Sequence, residues 1–308
     1  MEESNKTIKY IIEELSLENW IKEGHGYTAD SYRNKDDENL LLKLFFTGDG
    51  KELAEREYIR AVNVAALGVP TPSVYELVSV DGMIGILFER IEHKRSFGKL
   101  CTEDPEGLPK YAAAFARGSK KLHSTKCNTE KFPNQKEVLR KLVCRGYVRK
   151  EVQDYLNRLL DNTPDGDTCL HGDLQTGNMV MGWCQSYEGR KRQEGEDERT
   201  YFIDLGHFAY GNPLFDIASL YLSAKVYQNE ESNQNMLHFT AEQFEEFWKY
   251  YAISYIDSDD PVELQKFEDR VAPYAMFFMV LIISVSDGYE PAIQMALSHI
   301  EELYEKYH

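Results

Sequence analysis

The chain has 308 residues, of which 42% are hydrophobic and 12% aromatic. This is enough apolar material for one large core or two smaller ones, so the composition excludes a disordered chain. The 52 acidic residues outnumber the 35 basic ones and give a formal net charge of −17, whose field repels nucleic acids and anionic membrane surfaces. The same field would attract a polycationic ligand, but an acidic balance also serves solubility alone.

The cysteines and the apolar runs indicate a cytoplasmic location. The five cysteines are scattered without any CxxC pair, and we interpret them as reduced thiols: Cys101, Cys127, Cys144, Cys169 and Cys184. The first ten residues have neither the basic start nor the apolar stretch of a secretion signal. The longest apolar run, Ala275 to Ser284, is too short to cross a bilayer and predicts a buried helix segment.

The first ninety residues are predicted to form a strand-rich unit that contains one helix. A glycine-containing turn at Gly24–Ser31 is followed by an apolar strand at Leu40–Phe46. A helical pattern then covers Glu52–Leu67 and ends at Gly68, with Pro70 beyond it.

A β-hairpin is predicted at the end of this unit. Its strands, Ser73–Val80 and Met83–Glu89, flank Asp81 and Gly82, a pair typical of two-residue turns. With this hairpin the unit is expected to have five strands and one helix.

After Arg90 the pattern changes to long amphipathic helices. These are predicted at Pro109–His123, Gln135–Leu160, Phe215–Tyr227 and Ala241–Tyr255. Among them lie short strand and loop segments at Thr168–Trp183 and Tyr201–Leu205, separated by the charged stretch Gln185–Thr200. We interpret that stretch as a mobile hairpin loop rather than a partner site.

The strongest functional signal is the segment Leu170–Asn178, LHGDLQTGN. It places Asp173 and Asn178 at the spacing of a kinase catalytic loop, and Gly172 and Gly177 permit the tight turn that such a loop needs. Asp173 would orient an acceptor hydroxyl and take up its proton late in transfer. Asn178 would present its carbonyl oxygen to a metal ion.

A second acidic motif is YFIDLG at Tyr201–Gly206. Its aspartate, Asp204, lies 26 residues after Asn178. A carboxylate is a suitable ligand for Mg²⁺, a hard cation that binds oxygen and offsets phosphate charge during phosphoryl transfer. A single Asp at a strand end is common, so the prediction depends on the combined order and spacing of the two motifs.

The motif HGDLQTGN followed by IDLGHFAYGNPLFDIA resembles the paired signature of aminoglycoside phosphotransferases and their choline-kinase and homoserine-kinase-like relatives. The order of features matches this family over nearly the whole chain, but the match is specific only from His171 to Ala218. The resemblance implies that Asp173 is the catalytic base and that Asn178 and Asp204 are metal ligands.

The resemblance also implies a role for His171 and Asp216, which would brace the catalytic loop. The alternative interpretation is that both are ordinary buried polar groups with satisfied hydrogen bonds. Their structural role would then be nearly the same. The family has an α+β, bilobal, protein-kinase-like fold. We therefore expect a small N-terminal antiparallel β-sheet lobe with one helix over residues 1–90, for the nucleotide. A larger, mostly helical lobe over residues 91–308 would carry the catalytic loop, the metal site and the acceptor pocket.

Lys43 is the one charged residue in the apolar run LLLKLF. An unpaired ammonium is costly to bury, so a carboxylate partner is expected. The resemblance implies that Glu57 pairs with Lys43 and that Lys43 binds the nucleotide phosphates. Glu52 and Glu55 are competing partners, and a strand-edge lysine that reaches solvent is the alternative interpretation.

Two further segments are predicted to bind the nucleotide, ATP or GTP. Gly24–Ser31, GHGYTADS, would cover the phosphates through Gly24, Gly26, Thr28 and Ser31, although an ordinary turn has the same composition. Phe88–Ile91 matches the position where the family joins its lobes, so the backbone of Glu89 and Ile91 is implied to hydrogen-bond the purine. His123 is interpreted as structural, because no His or Cys lies at metal-ligand spacing.

The acceptor is expected to be a small molecule. Gly172 stands where many protein kinases have an arginine that binds a phosphorylated loop, and only eleven residues separate Asp204 from Asp216. This is too short for a regulated activation loop and a peptide platform.

An aminoglycoside is the first candidate acceptor, and choline, homoserine, a sugar or another alcohol remains open. The acidic segments Glu242–Glu246 and Asp257–Asp260 could bind a polyamine or could be solvated helix faces and ends. A catalytically silent nucleotide-binding protein is the remaining alternative, and a monomer is the default state.

Overall fold

The computed structural model describes residues 13–26, 28–194, 196, 198–286 and 288–308. It divides into two compact units. The first contains residues 13–93 and Gly182–Gly206, and the second contains Lys94–Met181 and His207–His308. The ten N-terminal residues considered for a signal, Tyr27 of the predicted phosphate loop, and Gly195 and Asp197 of the charged stretch lie outside the described residues.

The strands in chain order are β1 (Glu13–Glu14), β2 (Trp20–His25), β3 (Ala29–Asn34), β4 (Leu40–Phe45), β5 (Val74–Val80), β6 (Met83–Glu89), β7 (Glu92–Ser96), β8 (Thr168–Leu170), β9 (Met179–Trp183), β10 (Arg199–Phe202) and β11 (Ala209–Gly211). The α-helices are α1 (Gly50–Ala65), α2 (Phe97–Glu103), α3 (Leu108–Ser124), α4 (Gln135–Val143), α5 (Lys150–Asn162), α6 (Gln185–Glu188), α7 (Leu214–Tyr221), α8 (Glu231–Leu237), α9 (Ala241–Ile256), α10 (Pro261–Val271), α11 (Ala275–Val285) and α12 (Glu290–Tyr307). Short 3-10 turns occur at Leu17–Asn19, Pro105–Gly107, Leu205–His207 and Ala272–Tyr274.

The first unit is built on a sheet with the strand order β1-β5-β6-β4-β3-β2. Its strands pair antiparallel except β1, which runs parallel to β5. The predicted hairpin is confirmed, because Asp81 (φ 48°) and Gly82 (φ 81°) both adopt the left-handed conformation that a tight two-residue turn requires. The expected count of five strands was wrong by one, since the two-residue strand β1 adds a sixth.

The alternation of side chains along β4 places Lys43 on one face of the sheet and a hydrophobic core cluster on the other. Leu42 and Leu44 are buried in a cluster with Trp20 and Val78 on one face of the sheet. Because successive residues of a strand point to opposite faces, the Lys43 side chain leaves the sheet on the other face. There its nitrogen meets Glu57 of α1, a buried residue of the helix.

Two helix predictions were wrong in detail. The single helix expected at Gln135–Leu160 is divided into α4 and α5, and Gly146 in the connection has φ 78°, a conformation that a helix cannot include. The helix expected at Phe215–Tyr227 is α-helical only as α7, after which Leu222–Val226 forms a π-helical turn. Asn233 donates to the carbonyls of Ser223 and Tyr227 in and after that turn, which satisfies groups that a regular helix would bond internally.

The second unit has an aromatic core between α3 and α9. Phe115 of α3 makes edge contacts with Phe97, Phe247 and Tyr251, with ring centroids 5.1, 5.6 and 5.9 Å apart. Helix α11 covers the longest apolar run and is largely buried, as predicted. Within the described part of the chain, none of the helices combines the length and apolarity needed to span a membrane.

Candidate functional site

Lys43 is the centre of a charged cluster in the first unit. Its Nζ lies 2.7 and 2.9 Å from the two carboxylate oxygens of Glu57 and 2.9 Å from Oδ1 of Asp204. Only 18% of the Lys43 side chain is exposed, so Lys43 is not a strand-edge lysine that reaches solvent. Of the acids in α1, Glu57 is the partner, whereas Glu52 is exposed and Glu55 faces Lys51.

In this cluster the single ammonium of Lys43 is paired with two carboxylates, those of Glu57 and Asp204. Burial alone would lower the pKa of Lys43, but the charges of Asp204 and Glu57 raise it above its usual value, so the ammonium keeps its proton. Burial raises the pKa of Glu57 to about 7, with the Asp204 charge adding to the effect and Lys43 opposing it. The cluster is therefore short of positive charge, a condition that favours a bound cation.

The backbone at Asp204 is unusual. Asp204 follows β10 and has φ 60°, a left-handed conformation that costs a non-glycine residue roughly 1–3 kcal/mol. The following turn is fixed by Arg60 of α1, whose guanidinium donates to the Gly206 carbonyl. The outcome is that 48% of the Asp204 side chain stays exposed while one of its oxygens contacts Lys43.

The predicted catalytic loop, Leu170–Asn178, lies in the second unit and begins at the last residue of β8. Gly172 has φ 81°, and a Cβ atom there would lie 2.0 Å from the His207 carbonyl oxygen. Glycine is thus required at Gly172 both by the backbone conformation and by space. At Gly177 the N–H donates to Oε1 of Gln175 over 2.7 Å, which closes the loop.

Asp173 and Asn178 are in direct contact across this loop. Nδ2 of Asn178 donates to the backbone carbonyl of Asp173 and to its Oδ2, both at 2.9 Å. These two bonds orient the Asn178 amide with its nitrogen toward Asp173 and leave Oδ1 as the atom that could act as a ligand. Asn178 is buried and Asp173 is half-buried.

Both predicted metal ligands offer oxygen atoms suited to Mg²⁺. Mg²⁺ is usually held by one or two protein oxygens together with waters and substrate phosphates, so a closed cage is not expected. The described residues contain no group of three or more His, Cys, Asp or Glu side chains that could hold a metal ion. Each of these two side chains, within its own unit, offers an oxygen of the kind that Mg²⁺ binds.

Asp216 anchors the catalytic loop from the first turn of α7. Its Oδ2 accepts from the His171 N–H at 2.6 Å and its Oδ1 accepts from the Gly172 N–H at 2.8 Å. Asp216 is fully buried, and the N-terminal end of α7 favours its negative charge. His171 thus contributes its backbone N–H to this anchor.

His123 and Tyr255 extend the anchor. His123 contacts Oδ2 of Asp216 with Nε2 at 3.1 Å and the Tyr255 hydroxyl with Nδ1 at 2.8 Å. Sequence reasoning considered His123 only as a structural residue and missed Tyr255 altogether. No local signal identifies Tyr255, because its partner is 132 positions away along the chain.

In the predicted phosphate loop, Gly24 of β2 is paired with Ser31 of β3, and Gly26 and Thr28 lie between these strands. The Gly26 N–H donates to the Ala29 carbonyl at 2.9 Å, and the Thr28 carbonyl accepts from Phe46 at 3.1 Å. A Cβ on Gly24 would lie 2.5 Å from Oγ of Ser31, so glycine lets the two strands approach closely here. The Gly26 N–H is therefore engaged within the turn.

Glu89 has a role that the sequence did not indicate. Its N–H donates to the Ser73 carbonyl at 2.8 Å. Its buried carboxylate accepts from the Ser186 N–H at 2.9 Å and contacts the Ser186 hydroxyl and the Cys184 thiol. Glu89 thereby fastens the segment after β9 within the first unit. Ile91, the second predicted purine contact, is buried.

A family model described as the phosphotransferase enzyme family, APH, matches residues 22–267. The chain belongs to this family. The chain is accordingly a small-molecule kinase, and the α+β, protein-kinase-like fold expected from the sequence is confirmed. Among the curated proteins, none matches the chain.

Solved structures share the fold of this phosphotransferase at low sequence identity. A thermostable mutant of aminoglycoside phosphotransferase APH(4)-Ia, in ternary complex with AMP-PNP and hygromycin B, has a TM-score of 0.60 at 11% identity, covering 93% of each chain. The GDP and kanamycin complex of APH(2")-IIia has a TM-score of 0.56 at 14% identity, covering 96% of this chain and 95% of that one. A Plasmodium vivax ethanolamine kinase has a TM-score of 0.56 at 13% identity, covering 92% and 80%.

The two acidic segments considered as acceptor sites, Glu242–Glu246 and Asp257–Asp260, lie in different structural environments. Asp257 ends α9 and pairs with Lys120 at 2.5 Å, and Asp260 caps α10, so these residues serve helix ends. Glu242, Glu245 and Glu246 instead line a surface pocket of about 560 Å³ in the second unit.

Proposed function

We propose that this chain transfers the γ-phosphoryl group of ATP or GTP to a hydroxyl of a small molecule, with Mg²⁺ as cofactor. The observation that carries the proposal is the Lys43 ammonium, 2.7 Å from Glu57 and 2.9 Å from Asp204. Asp204 is 161 positions from Lys43 along the chain, and separate motifs assigned the two residues to phosphate and metal. Their meeting at one ammonium supports phosphoryl transfer.

Asp173 is the base in this proposal. As the acceptor oxygen bonds to the γ-phosphorus, the bond from that phosphorus to the bridging oxygen breaks and the nucleoside diphosphate leaves. The hydroxyl proton passes to a carboxylate oxygen of Asp173. Asn178 holds Asp173 in place through its Nδ2, so the reaction gains mainly from positioning.

The strand-rich unit is assigned the nucleotide. Lys43, kept in position by Glu57, binds the phosphates. The predicted phosphate loop would cover them with Gly26 and Thr28, which lie between β2 and β3, and with Gly24 and Ser31, which are paired in those strands. The Glu89 carbonyl and the Ile91 N–H are the backbone groups we assign to the purine, since the Glu89 N–H is bonded to Ser73. Mg²⁺, held by oxygens of Asp204 and Asn178, would offset the phosphate charge.

The helical unit is assigned the acceptor, for which a hydroxyl on a cationic amine is the chemical class we favour. The net charge of −17 attracts such a molecule. Aminoglycosides are the first candidate, and amino alcohols such as ethanolamine or choline are the second, because one of the similar structures is named an ethanolamine kinase. Homoserine and neutral sugars remain alternatives.

The proposed setting is a cytoplasmic monomer that binds neither nucleic acid nor a membrane surface. The acidic charge supports the last two points. Size-exclusion chromatography with light scattering tests the monomer, and a larger mass would contradict it.

The deciding experiment is an ADP- or GDP-release screen of the purified chain with aminoglycosides, amino alcohols, homoserine, neutral sugars and nucleosides. We expect acceptor-dependent release with an amine-bearing alcohol, and release lowered by at least about 100-fold in Asp173→Ala. Release with neutral sugars alone would contradict the cationic class. Nucleotide binding by thermal shift without transfer to any acceptor would instead favour the silent nucleotide-binding protein.

A further inference from the structure

A chain of hydrogen bonds lies behind the catalytic loop in the second unit. It runs from the Tyr255 hydroxyl to Nδ1 of His123 (2.8 Å) and from Nε2 of His123 to Oδ2 of Asp216 (3.1 Å). Asp216 then accepts the N–H groups of His171 and Gly172. We call these three side chains, Tyr255, His123 and Asp216, the relay.

The partners in the relay determine which atom donates each bond. Both oxygens of Asp216 accept backbone N–H groups, and we assign Nε2 of His123 as a further donor to Oδ2. In the neutral ring the other nitrogen, Nδ1, is then an acceptor, and it requires a donor. The Tyr255 hydroxyl supplies one. Burial, with the Asp216 charge adding to it, raises the pKa of Tyr255, so this hydroxyl keeps its proton.

The surroundings leave the relay little freedom. The His123 side chain is 3% exposed and Asp216 is 0% exposed, so neither can exchange its partner for bulk solvent at low cost. The Tyr255 ring stacks with the rings of Tyr251 and Phe267, with centroid distances of 5.4 and 5.9 Å. Its hydroxyl is therefore held in place by packing.

The end of α9 is also tied to α3, the helix that carries His123. Lys120 of α3 reaches Asp257 at 2.5 Å and the Ser254 carbonyl at 3.5 Å. The two ends of the Tyr255–His123 bond thus belong to helices that are fixed to each other beside it. A rigid support of this kind can hold a reacting group to within a few tenths of an ångström.

We propose that Tyr255 is a positioning residue for phosphoryl transfer, which acts through His123 and Asp216 on the backbone of the catalytic loop. Asp216 binds the two N–H groups that immediately precede Asp173 in the chain. Loss of the Tyr255 hydroxyl removes the hydrogen bond to Nδ1 of His123 and allows the ring to change its tautomer. The bond from His123 to Asp216 is then weakened, and the backbone of the catalytic loop is held less firmly. The kinetic part of this inference rests on the proposed function.

Tyr255→Phe tests the relay because it removes one hydroxyl and retains the stacked ring. Tyr251→Phe is the matched control, since Tyr251 lies one turn earlier in α9, is fully buried, and has its hydroxyl outside the relay. Two measurements need no substrate: the ¹⁵N signals of the His123 ring, and amide exchange at His171 and Gly172. We expect the ring signals to shift and exchange to accelerate in Tyr255→Phe only.

The third measurement is steady-state kinetics on the acceptor found in the screen. Tyr255→Phe should lower kcat about tenfold and leave the KM for the nucleotide within about twofold, whereas Tyr251→Phe should leave both within about twofold. Equal effects of the two variants, or unchanged ring signals and loop exchange in Tyr255→Phe, would overturn the relay. If the wild-type chain transfers no phosphate, the proposed function fails, and the two substrate-free measurements still decide the relay.

Discussion

Asp173 is the residue on which the proposed chemistry depends most directly. Its position is held by two bonds from Asn178, one to its carbonyl and one to its carboxylate. A carboxylate held in this way can accept a proton without a search through rotamers. Its contribution should therefore appear in the rate of transfer and not in nucleotide affinity.

We predict that Asp173→Ala lowers transfer about 10²- to 10⁴-fold and leaves nucleotide binding within about twofold. Single-turnover transfer and calorimetric titration with nucleotide and Mg²⁺ measure the two quantities. The control is Asp167→Ala, an exposed carboxylate of the second unit that pairs with Lys126. Unchanged turnover in Asp173→Ala would show that another group takes the proton.

Glu57 leads to a pH-dependent prediction. Its pKa rises from 4.5 to about 7 in the folded chain, chiefly through burial, so folding favours the protonated form. The stability that this contributes is complete below the unfolded pKa and is lost as the pH rises through about 7. Glu57→Gln is neutral at every pH and cannot lose this contribution.

We therefore expect the stability of Glu57→Gln, relative to wild type, to improve between about pH 5 and about pH 8. Urea unfolding midpoints across that range measure the change. Glu55→Gln is the control, because its carboxylate is 38% exposed on the same helix. A relative stability that falls with pH would mean that the Lys43 charge outweighs burial at Glu57.

The catalytic loop as an element depends on one glycine. A Cβ at Gly172 would lie 2.0 Å from the His207 carbonyl oxygen, whereas Gly146, with nearly the same φ, has nothing within 4 Å of its Cβ position. The two glycines separate the cost of the backbone conformation from the cost of the clash. Only Gly172 carries both.

We predict that Gly146→Ala costs about 1–2 kcal/mol in the free energy of unfolding, the usual cost of a left-handed alanine. Gly172→Ala should cost several kcal/mol more, because backbone atoms must move, and it should also abolish transfer. Urea unfolding of the two variants and the ADP-release assay test this. Similar costs for both would mean that the loop relaxes freely.

The sequence predicted the elements whose signals are local. Asp81 and Gly82 specify a hairpin through their turn conformation, and Gly68 marks the end of α1. It did not predict the break at Gly146, because apolar periodicity continues on both sides of a glycine. The π-helical turn at Leu222–Val226 was missed for a similar reason, since one extra residue in a turn hardly changes the pattern.

In the candidate site, too, the sequence predicted local features but not contacts between residues far apart along the chain. A carboxylate partner for Lys43 could be predicted because an unpaired charge in an apolar strand is costly, and the family resemblance favoured Glu57 over Glu52 and Glu55. The anchoring of Ser186 by Glu89 and the bond between Tyr255 and His123 join positions 97 and 132 residues apart. A single sequence carries no signal for such contacts, since each polar residue has many possible partners.

At the scale of the whole molecule, the groups assigned to phosphoryl transfer are divided between the two units. The first holds Lys43, Glu57 and Asp204, and the second holds the catalytic loop with its anchor. Each unit has a core of its own, which supports the groups that it holds. In the proposed reaction neither set would suffice alone, because the first lacks the proposed base and the second lacks the proposed phosphate-binding lysine.

The net charge of −17 affects the two proposed substrates in opposite ways. An acidic protein attracts a polycationic acceptor and repels a nucleotide that is itself anionic. Salt screens both effects, because the Debye length falls from about 30 Å at 0.01 M to about 10 Å at 0.1 M. The second-order rate constants for the two substrates should therefore respond to salt with opposite signs.

We predict that kcat/KM for a cationic acceptor falls several-fold between about 0.01 and 0.1 M KCl, while kcat/KM for the nucleotide stays constant or rises. Initial rates with each substrate varied in turn measure both values. A charge-reversed pair at the acidic pocket, Glu242→Lys with Glu246→Lys, should weaken the salt dependence for the acceptor. Equal decreases for acceptor and nucleotide would indicate a general effect of salt on the enzyme and would contradict electrostatic attraction of the acceptor.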